Sequence, residues 1–229
     1  MPPALAKLTR PRLHAAVARA RLFQLLDLRR EHPVVWIAGP PGAGKTTLVA
    51  SYVSERDTPG IWYQIDSGDG DPATFFYYMG LAATQAIGGK HKPLPLFTEE
   101  NVPDLAGFAR RYGRELFARL PEGATIILDN VQEAPPDSSL TQLLEVWAEE
   151  GPESINLVCI SRSEPPASLM RQVSTGRLAL IDWEALRLTL DETRQISAVK
   201  HKIMERIKTA YQELFKVGRF KLTRLVQTK

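Results

Sequence analysis

The sequence predicts an α/β fold with a mainly parallel sheet and helices on both faces. Short apolar segments rich in β-branched residues alternate with longer amphipathic ones, and a glycine-rich loop joins the first strand to a helix. The 229 residues, 44% hydrophobic and 24% charged, suffice for one such domain with a core. We expect a lead-in and helix over 1–31, the α/β domain over 32–199 and a basic helical tail over 200–229.

Charge is distributed unevenly along the chain, although the formal net charge is only +3. The last thirty residues contain nine basic and two acidic side chains, whereas the first 199 contain 20 basic and 24 acidic ones. The body therefore offers no electrostatic case for binding nucleic acid. The tail, residues 200–229, is predicted to form an amphipathic basic helix. It is either simply solvated or binds anions, a membrane surface or a partner protein.

Composition excludes several classes of protein. No apolar run approaches the ~18 residues that span a bilayer, and the N-terminus lacks the apolar core of a signal peptide. The single cysteine, Cys159, excludes an intramolecular disulfide and lies in an apolar strand, where we expect it to be buried. No Cys/His spacing suits a structural zinc site. We therefore expect a cytoplasmic protein without a membrane span.

A glycine-rich loop is the most informative segment. It contains Gly39-Pro40-Pro41-Gly42-Ala43-Gly44-Lys45-Thr46, which matches the phosphate-loop pattern G-x-x-x-x-G-K-[ST]. A buried strand is predicted over 33–38, and a helix is predicted to continue from Thr47. In this context backbone N–H groups and the helix dipole can hold phosphate groups. The loop, through Thr47, therefore predicts binding of a nucleoside triphosphate.

Three side chains have expected roles in this site. Lys45 would contact the β- and γ-phosphates, and Thr46 would offer its hydroxyl to Mg²⁺. Asp129 ends a strand predicted over 124–130, ~80 residues after the loop, and would be the acidic group of the same Mg²⁺ site. We therefore expect Thr46 and Asp129 to lie at the same edge of the sheet.

Arg162 follows another predicted strand, 155–160. Ligands of open α/β sheets bind outside the carboxyl ends of the strands. This arginine is therefore a candidate contact for the γ-phosphate, and a solvated surface arginine is the alternative.

The remaining segments complete the alternation of strands and helices. Asp71 and Pro72 are predicted to cap and begin a helix that ends near Gly88. A capping box from Thr189 to Glu192 starts a later helix. Further strands are predicted at 61–65, 178–181 and 186–188, and further helices at 14–30, 103–120 and 138–150.

Taken in order, these segments resemble the nucleotide-binding domain of STAND-class signal-transduction ATPases, typified by the maltose-regulon activator. The similarity covers residues 8–198. It includes the N-terminal arginine-rich helix, the phosphate loop, Trp62-Tyr63, Asp66 to Phe75, Ile126-Ile127-Leu128-Asp129, Ser161-Arg162 and Leu186 to Glu192. The resemblance implies a P-loop NTPase three-layer sandwich. It also implies roles at the phosphates for Lys45, for Asp129 as the Walker B acid and for Arg162 as the sensor arginine.

The resemblance also implies a function as a switch. Members of this class use ATP to favour an active, often oligomeric state, and slow hydrolysis resets it. The implied ligands are ATP, ADP and Mg²⁺, and the implied partners are a second copy or a signalling protein. The winged helix, helical sensor and DNA-binding helix-turn-helix of such regulators are not recognisable, so we expect a truncated regulator without a DNA-binding module.

The residue after Asp129 departs from the family pattern. Asn130 stands where a second acid is common, and an amide cannot accept a proton as a carboxylate does. We therefore expect slow or vestigial hydrolysis, with Glu133 as the acid that would have to substitute. Two alternative functions remain open at this point: transfer of phosphate to a small acceptor, and nucleotide binding without hydrolysis.

Overall fold

Five parallel strands form a single sheet in the described part of the chain. The computed structural model describes residues 5–13, 16–88, 92–135, 137–202 and 204–205. The strands in this part of the chain are β1 (Val34–Ala38), β2 (Gly60–Gln64), β3 (Thr125–Asp129), β4 (Asn156–Ser161) and β5 (Leu178–Ile181). They pair in the order β2-β3-β4-β1-β5, and every neighbouring pair is parallel. The α/β class with a parallel sheet is therefore confirmed.

Helices connect consecutive strands and cover both faces of the sheet. They are α1 (Ala20–Arg29), α2 (Lys45–Glu55), α3 (Pro72–Ile87), α4 (Leu105–Phe117), α5 (Ser139–Glu150), α6 (Ala167–Ser174) and α7 (Trp183–Leu186). Short 3-10 turns lie at Ala6–Leu8, Ser67–Gly70, Glu99–Asp104 and Val131–Glu133. No helix in the described residues has both the length and the apolarity needed to cross a membrane.

The two faces of the sheet belong to separate apolar cores. Because successive side chains of a strand point to opposite faces, Trp36 joins the core formed with α3, α4 and α5, whereas Val35 and Ile37 join the core formed with α1 and α2. Cys159 belongs to the first core and is buried as predicted, and burial raises the pKa of its thiol. The sheet and the helices packed on it thus form a three-layer α/β/α sandwich.

The strand register determines which residues meet at the carboxyl edge of the sheet. Ala38, the last residue of β1, pairs with Ser161, the last residue of β4. Asp129, at the end of β3, pairs with Ile160. The segments that follow β1, β3 and β4 therefore leave the sheet at the same edge and side by side.

Two elements differ from the sequence predictions, and one was not predicted. Residues 186–188 are not a strand, because Trp183–Leu186 forms a turn of helix whose start is capped by Asp182 accepting from Ala185 N at 2.9 Å. The helix predicted over 14–30 begins only at Ala20, although residues 14–15 lie outside the described part. Helix α6, Ala167–Ser174, was missed in the sequence.

Contacts divide the chain into two units, Met1–Arg187 and Leu188–Lys229. In the second unit, residues 190–202 are helical. The capping box is confirmed, because Glu192 N donates to Thr189 Oγ1 at 3.2 Å and Thr189 N donates to Glu192 Oε2 at 2.9 Å. The predicted basic helix over 200–229 lies mostly outside the described residues.

The N-terminal segment is attached to the turn after β2 by a charged network. Lys7 Nζ lies 2.7 Å from Asp66 Oδ2 and 2.8 Å from Asp69 Oδ2, and the Asp69 side chain is fully buried. The hydroxyl of Tyr63 donates to the other oxygen of Asp69 at 2.6 Å. The same ammonium lies 5.2 Å and 5.1 Å from the ring centroids of Tyr63 and Tyr78. Residues 5–9 are thereby held beside edge strand β2 by a contact that spans about sixty residues of sequence.

Candidate nucleotide-binding site

The loop between β1 and α2 has the backbone conformation that its glycines predict. Gly42 and Gly44 both have φ of +79°, in the region that side chains with a Cβ rarely adopt. Gly44 caps the N-terminus of α2, which therefore begins at Lys45. The positive end of the helix dipole and its free N–H groups are thus directed at the loop, which is an anion-binding arrangement.

Lys45 lies within the curve of the loop. Its Nζ donates to Gly39 O at 2.5 Å and to Pro40 O at 3.0 Å, and the residue is buried. Burial lowers the pKa of the Lys45 ammonium, the charge of Arg162 lowers it further, and the charge of Asp129 opposes both effects. A cation in this position is available to phosphate oxygens, which are stronger partners than neutral carbonyl groups.

Thr46 and Asp129 lie side by side, as the sequence predicts. The hydroxyl of Thr46 donates to Asp129 Oδ1 at 3.0 Å, and Asp129 is only 3% exposed. Burial raises the pKa of Asp129, while the hydrogen bonds from Thr46 and from the backbone of Asn130 lower it. The site therefore holds a hydroxyl and a carboxylate close to Lys45.

This donor set fits Mg²⁺ bound together with phosphates. Mg²⁺ typically takes one or two protein oxygens and completes its octahedron with water and phosphate oxygens. Within the described residues no group of three or more His, Cys, Asp or Glu side chains could hold a metal without other ligands. Thr46 and Asp129 thus suit a cation that arrives with a nucleotide better than a permanently bound structural metal.

Arg162 follows β4 and is anchored to the turn after β3. Its backbone N–H donates to Gln132 Oε1 at 2.9 Å, and its guanidinium forms an ion pair with Glu133 at 3.1 Å. Gln132 was not singled out in the sequence, because a lone glutamine three residues after Asp129 carries no pattern. The structure thus brings Arg162 to the same edge of the sheet as the phosphate loop.

The backbone conformation of Asn130 is one that favours asparagine or aspartate at this position. Its φ of 62° and ψ of 43° place it in the left-handed region, which asparagine and aspartate tolerate better than other side chains. The side-chain oxygen of Asn130 lies 3.5 Å from Gln132 Nε2. The turn after β3 therefore does not require the amide, since an aspartate would adopt the same backbone.

The loop also contacts the end of the sandwich. A Cβ added at Gly39 would lie 3.0 Å from Leu186 Cδ1 and 3.6 Å from Trp183 Cε3. Arg19, before α1, donates to the backbone oxygens of Leu186 at 2.8 Å and Arg187 at 3.1 Å. Helix α7 is thus fixed between the phosphate loop and the N-terminal segment.

The amino-acid sequence is similar to those of known transcriptional regulators. No protein-family model matches the chain. Its sequence is 30% identical over 193 residues to the HTH-type transcriptional regulator MalT of Vibrio cholerae, and 29% identical over 196 residues to MalT of Vibrio parahaemolyticus. Each alignment covers 82% of this chain but 21% of the relative. The chain thus spans about a fifth of the length of these regulators.

The fold is similar to those of two archaeal proteins of known structure. A STAND protein with a tetratricopeptide repeat sensor from Pyrococcus horikoshii superposes with a TM-score of 0.60 at 19% identity, covering 93% of this chain and 30% of that protein. The Aeropyrum pernix ORC1 protein, solved with DNA, gives 0.51 at 15% identity, covering 82% of this chain and 51% of that one. The chain is thus similar in sequence to part of MalT, and it has the α/β fold with a parallel sheet that P-loop NTPases share. The relatives in sequence are named as transcriptional regulators, and the first of these neighbours in structure is named as a signal-transduction ATPase.

Proposed function

We propose that this module binds Mg·ATP and acts as the switch of a signal-transduction or transcription-regulating ATPase in the cytoplasm. The observation that carries the proposal is the hydrogen bond between Thr46 and Asp129, because it brings the end of the glycine loop and the end of β3 to one cation-binding position. The similarity to MalT over 82% of the chain supports a regulatory role.

Each residue of the site has a defined task in this proposal. The N–H groups of the loop and the start of α2 bind the phosphate chain, and Lys45 moves from its carbonyl partners to the phosphate oxygens. Thr46 and Asp129 hold Mg²⁺, the Asp129 carboxylate directly or through water. When bound, Mg²⁺ neutralises charge on the β- and γ-phosphates. Arg162 would contact the γ-phosphate from the end of β4.

Hydrolysis in this module is slow or vestigial. Water attack on the γ-phosphate is aided by a positioned base, which typically contributes ~10²–10⁴-fold in rate. Asn130 cannot serve as that base, and the carboxylate of Glu133 is paired with Arg162. ATP binding rather than turnover is therefore the step that changes the state of the module.

The substitution Lys45→Ala tests the site. Removing this ammonium is expected to weaken ATP binding by ~100-fold or more, the effect of losing a charged partner in a partly buried position. Calorimetric titration with Mg·ATP measures the affinity, and Lys92→Ala is the matched control because Lys92 is an exposed lysine. Equal affinity of the wild type and the Lys45→Ala variant would refute the site.

A nucleotide-binding module without any hydrolysis is the second candidate, and Asn130 favours it. The substitution Asn130→Asp separates the two, because aspartate fits the same left-handed backbone and adds a base. In a switch with vestigial turnover, we expect release of phosphate to rise at least ~10-fold. Absence of turnover in both proteins would support the second candidate. Labelled ATP also detects phosphate transfer to an acceptor, which would support a phosphotransferase instead.

A change in molecular mass between nucleotides reports whether the module switches by self-association. We propose that ATP favours self-association or binding of a signalling partner and that ADP does not. Size-exclusion chromatography with light scattering in saturating Mg·ATP and Mg·ADP measures this directly. Equal mass in both nucleotides would contradict switching through self-association.

A further inference from the structure

Arg162 lies one strand away from the phosphate loop. Ser161, the residue before it, pairs with Ala38, and Ala38 directly precedes Gly39 of the loop. The charge of Arg162 also contributes to the lowered pKa of Lys45. Arg162 is therefore close enough to respond to a charge bound in the loop.

The backbone and the guanidinium of Arg162 are held in different ways. Gln132 accepts the backbone N–H at 2.9 Å, which fixes the position of the residue. Glu133 holds the guanidinium through an ion pair between two half-exposed side chains, 54% and 43% accessible. Such a pair is weak and can be replaced, whereas the backbone anchor does not depend on the side chain.

Glu133 still accepts a hydrogen bond if the Arg162 guanidinium moves away from it. Gln132 Nε2 donates to Glu133 Oε1 at 3.1 Å, on the same oxygen that meets the guanidinium. The carboxylate is also half-exposed, so water can solvate it. Exchange of the Arg162 partner therefore leaves no buried charge unpaired.

We propose that Glu133 is a specificity-determining residue that competes with the γ-phosphate for Arg162 and so sets how strongly the site prefers ATP to ADP. In the absence of a γ-phosphate the guanidinium stays on Glu133. A γ-phosphate, with higher charge density and geometry suited to a bidentate guanidinium contact, displaces it. The proposal rests on the proposed ATP site and assigns its discrimination to one acidic side chain.

The test uses the intact chain and the substitution Glu133→Gln, which keeps the size of the side chain and removes its charge. Without the competing carboxylate, affinity for Mg·ATP is expected to rise about 2–5-fold, the range of an exposed ion pair. Affinity for Mg·ADP is expected to stay unchanged, since ADP has no γ-phosphate. The matched control is Glu115→Gln, which breaks the ion pair between Glu115 on α4 and Arg119 just after that helix, away from the loop.

A double-mutant cycle shows whether Glu133 acts through Arg162. The substitution Arg162→Gln is expected to lower ATP affinity, and Glu133→Gln should then have no further effect. Melting curves verify that the variants are folded. The proposal is overturned if Glu133→Gln leaves ATP affinity unchanged or lowers it, raises ATP and ADP affinity equally, or acts equally without Arg162. If the wild type binds no ATP, the proposed function fails first and this proposal with it.

Discussion

The hydroxyl of Thr46 donates to Oδ1 of Asp129 at 3.0 Å, although the two residues are 83 positions apart in sequence. Thr46 lies at the start of α2, and Asp129 is the last residue of β3. The contact exists because β1 and β3 flank β4 in register, which brings their carboxyl ends to one edge. Two groups suited to Mg²⁺ are thus placed together by the topology of the sheet.

Replacing Thr46 with alanine is expected to reduce affinity for Mg·ATP by ~10–100-fold, the range for losing a bond to a charged group. Affinity for ATP in EDTA should change little, because the hydroxyl acts through the metal. Thr46→Ser keeps the hydroxyl and is the control. Calorimetry with and without Mg²⁺ measures the effect, and an equal loss under both conditions would contradict the metal role.

Replacing Asp129 with asparagine is expected to raise the melting temperature of the nucleotide-free protein at neutral pH. Burial raises the pKa of Asp129, so the folded state favours the protonated carboxyl, and ionisation as pH rises destabilises the fold. Asparagine removes that penalty and can still accept from Thr46. The difference in melting temperature between the Asp129→Asn variant and the wild type should narrow as pH falls towards the ordinary aspartate pKa of ~4.

Melting curves between pH 7.5 and pH 5 measure this difference. Glu122→Gln, at an exposed acid, is the control and should follow the wild type. A difference in melting temperature that widens as pH falls would contradict the prediction that ionised Asp129 destabilises the fold. The Asp129→Asn variant should also lose affinity for Mg·ATP, so that a gain in stability accompanies a loss of binding.

Replacing Gly44 with alanine is expected to lower the free energy of unfolding by ~1–2 kcal/mol, because its φ of +79° is strained for any residue with a Cβ. Crowding is not the cause, since no atom lies within 4 Å of the added methyl group. Gly80, inside α3, is the matched control, and there the methyl would make ordinary van der Waals contacts with the Tyr112 hydroxyl at 3.4 Å and with Leu94 Cβ at 3.9 Å. Gly80→Ala should stabilise by ~0.5–1 kcal/mol through helix propensity. Urea denaturation of both variants tests the contrast, and equal shifts would contradict it.

Replacing Lys7 with methionine is expected to lower the free energy of unfolding by ~1–3 kcal/mol, because the buried carboxylate of Asp69 loses its cation. Asp69→Asn in the same background should recover part of the loss, since a neutral amide needs no counter-ion. Lys92→Met, at an exposed lysine, is the control. If the effects of Lys7→Met and Asp69→Asn on the free energy of unfolding were additive in urea denaturation, Lys7 and Asp69 would not be energetically coupled.

The sequence predicted the elements whose signals are local. The strands over 33–38, 124–130 and 155–160 are apolar runs bounded by turn residues, and each was placed within one or two residues. The loop was recognised because its chemistry depends on contiguous residues. The proximity of Thr46 and Asp129 was predicted because an acid that ends a strand ~80 residues after a phosphate loop commonly belongs to the same Mg²⁺ site.

The errors occurred where the pattern was short or the contact was distant. The alternation Leu186-Arg187-Leu188 fits a strand, but three residues cannot distinguish period 2 from the end of a helical turn. The segment before Ala20 was counted as helix because of its spacing, yet Arg19 instead binds the backbone at the end of α7. The contact of Lys7 with Asp69 spans 62 positions and leaves no local signal.

Helix α7 rests directly on Gly39, with Leu186 Cδ1 at the distance where a single added methyl group would touch it. Gly39, the first glycine of the loop, and helix α7 at the end of the sandwich are therefore packed directly against each other. A shift of Gly39 towards helix α7 would therefore meet the Leu186 side chain, which directly precedes Arg187, the last residue of this unit.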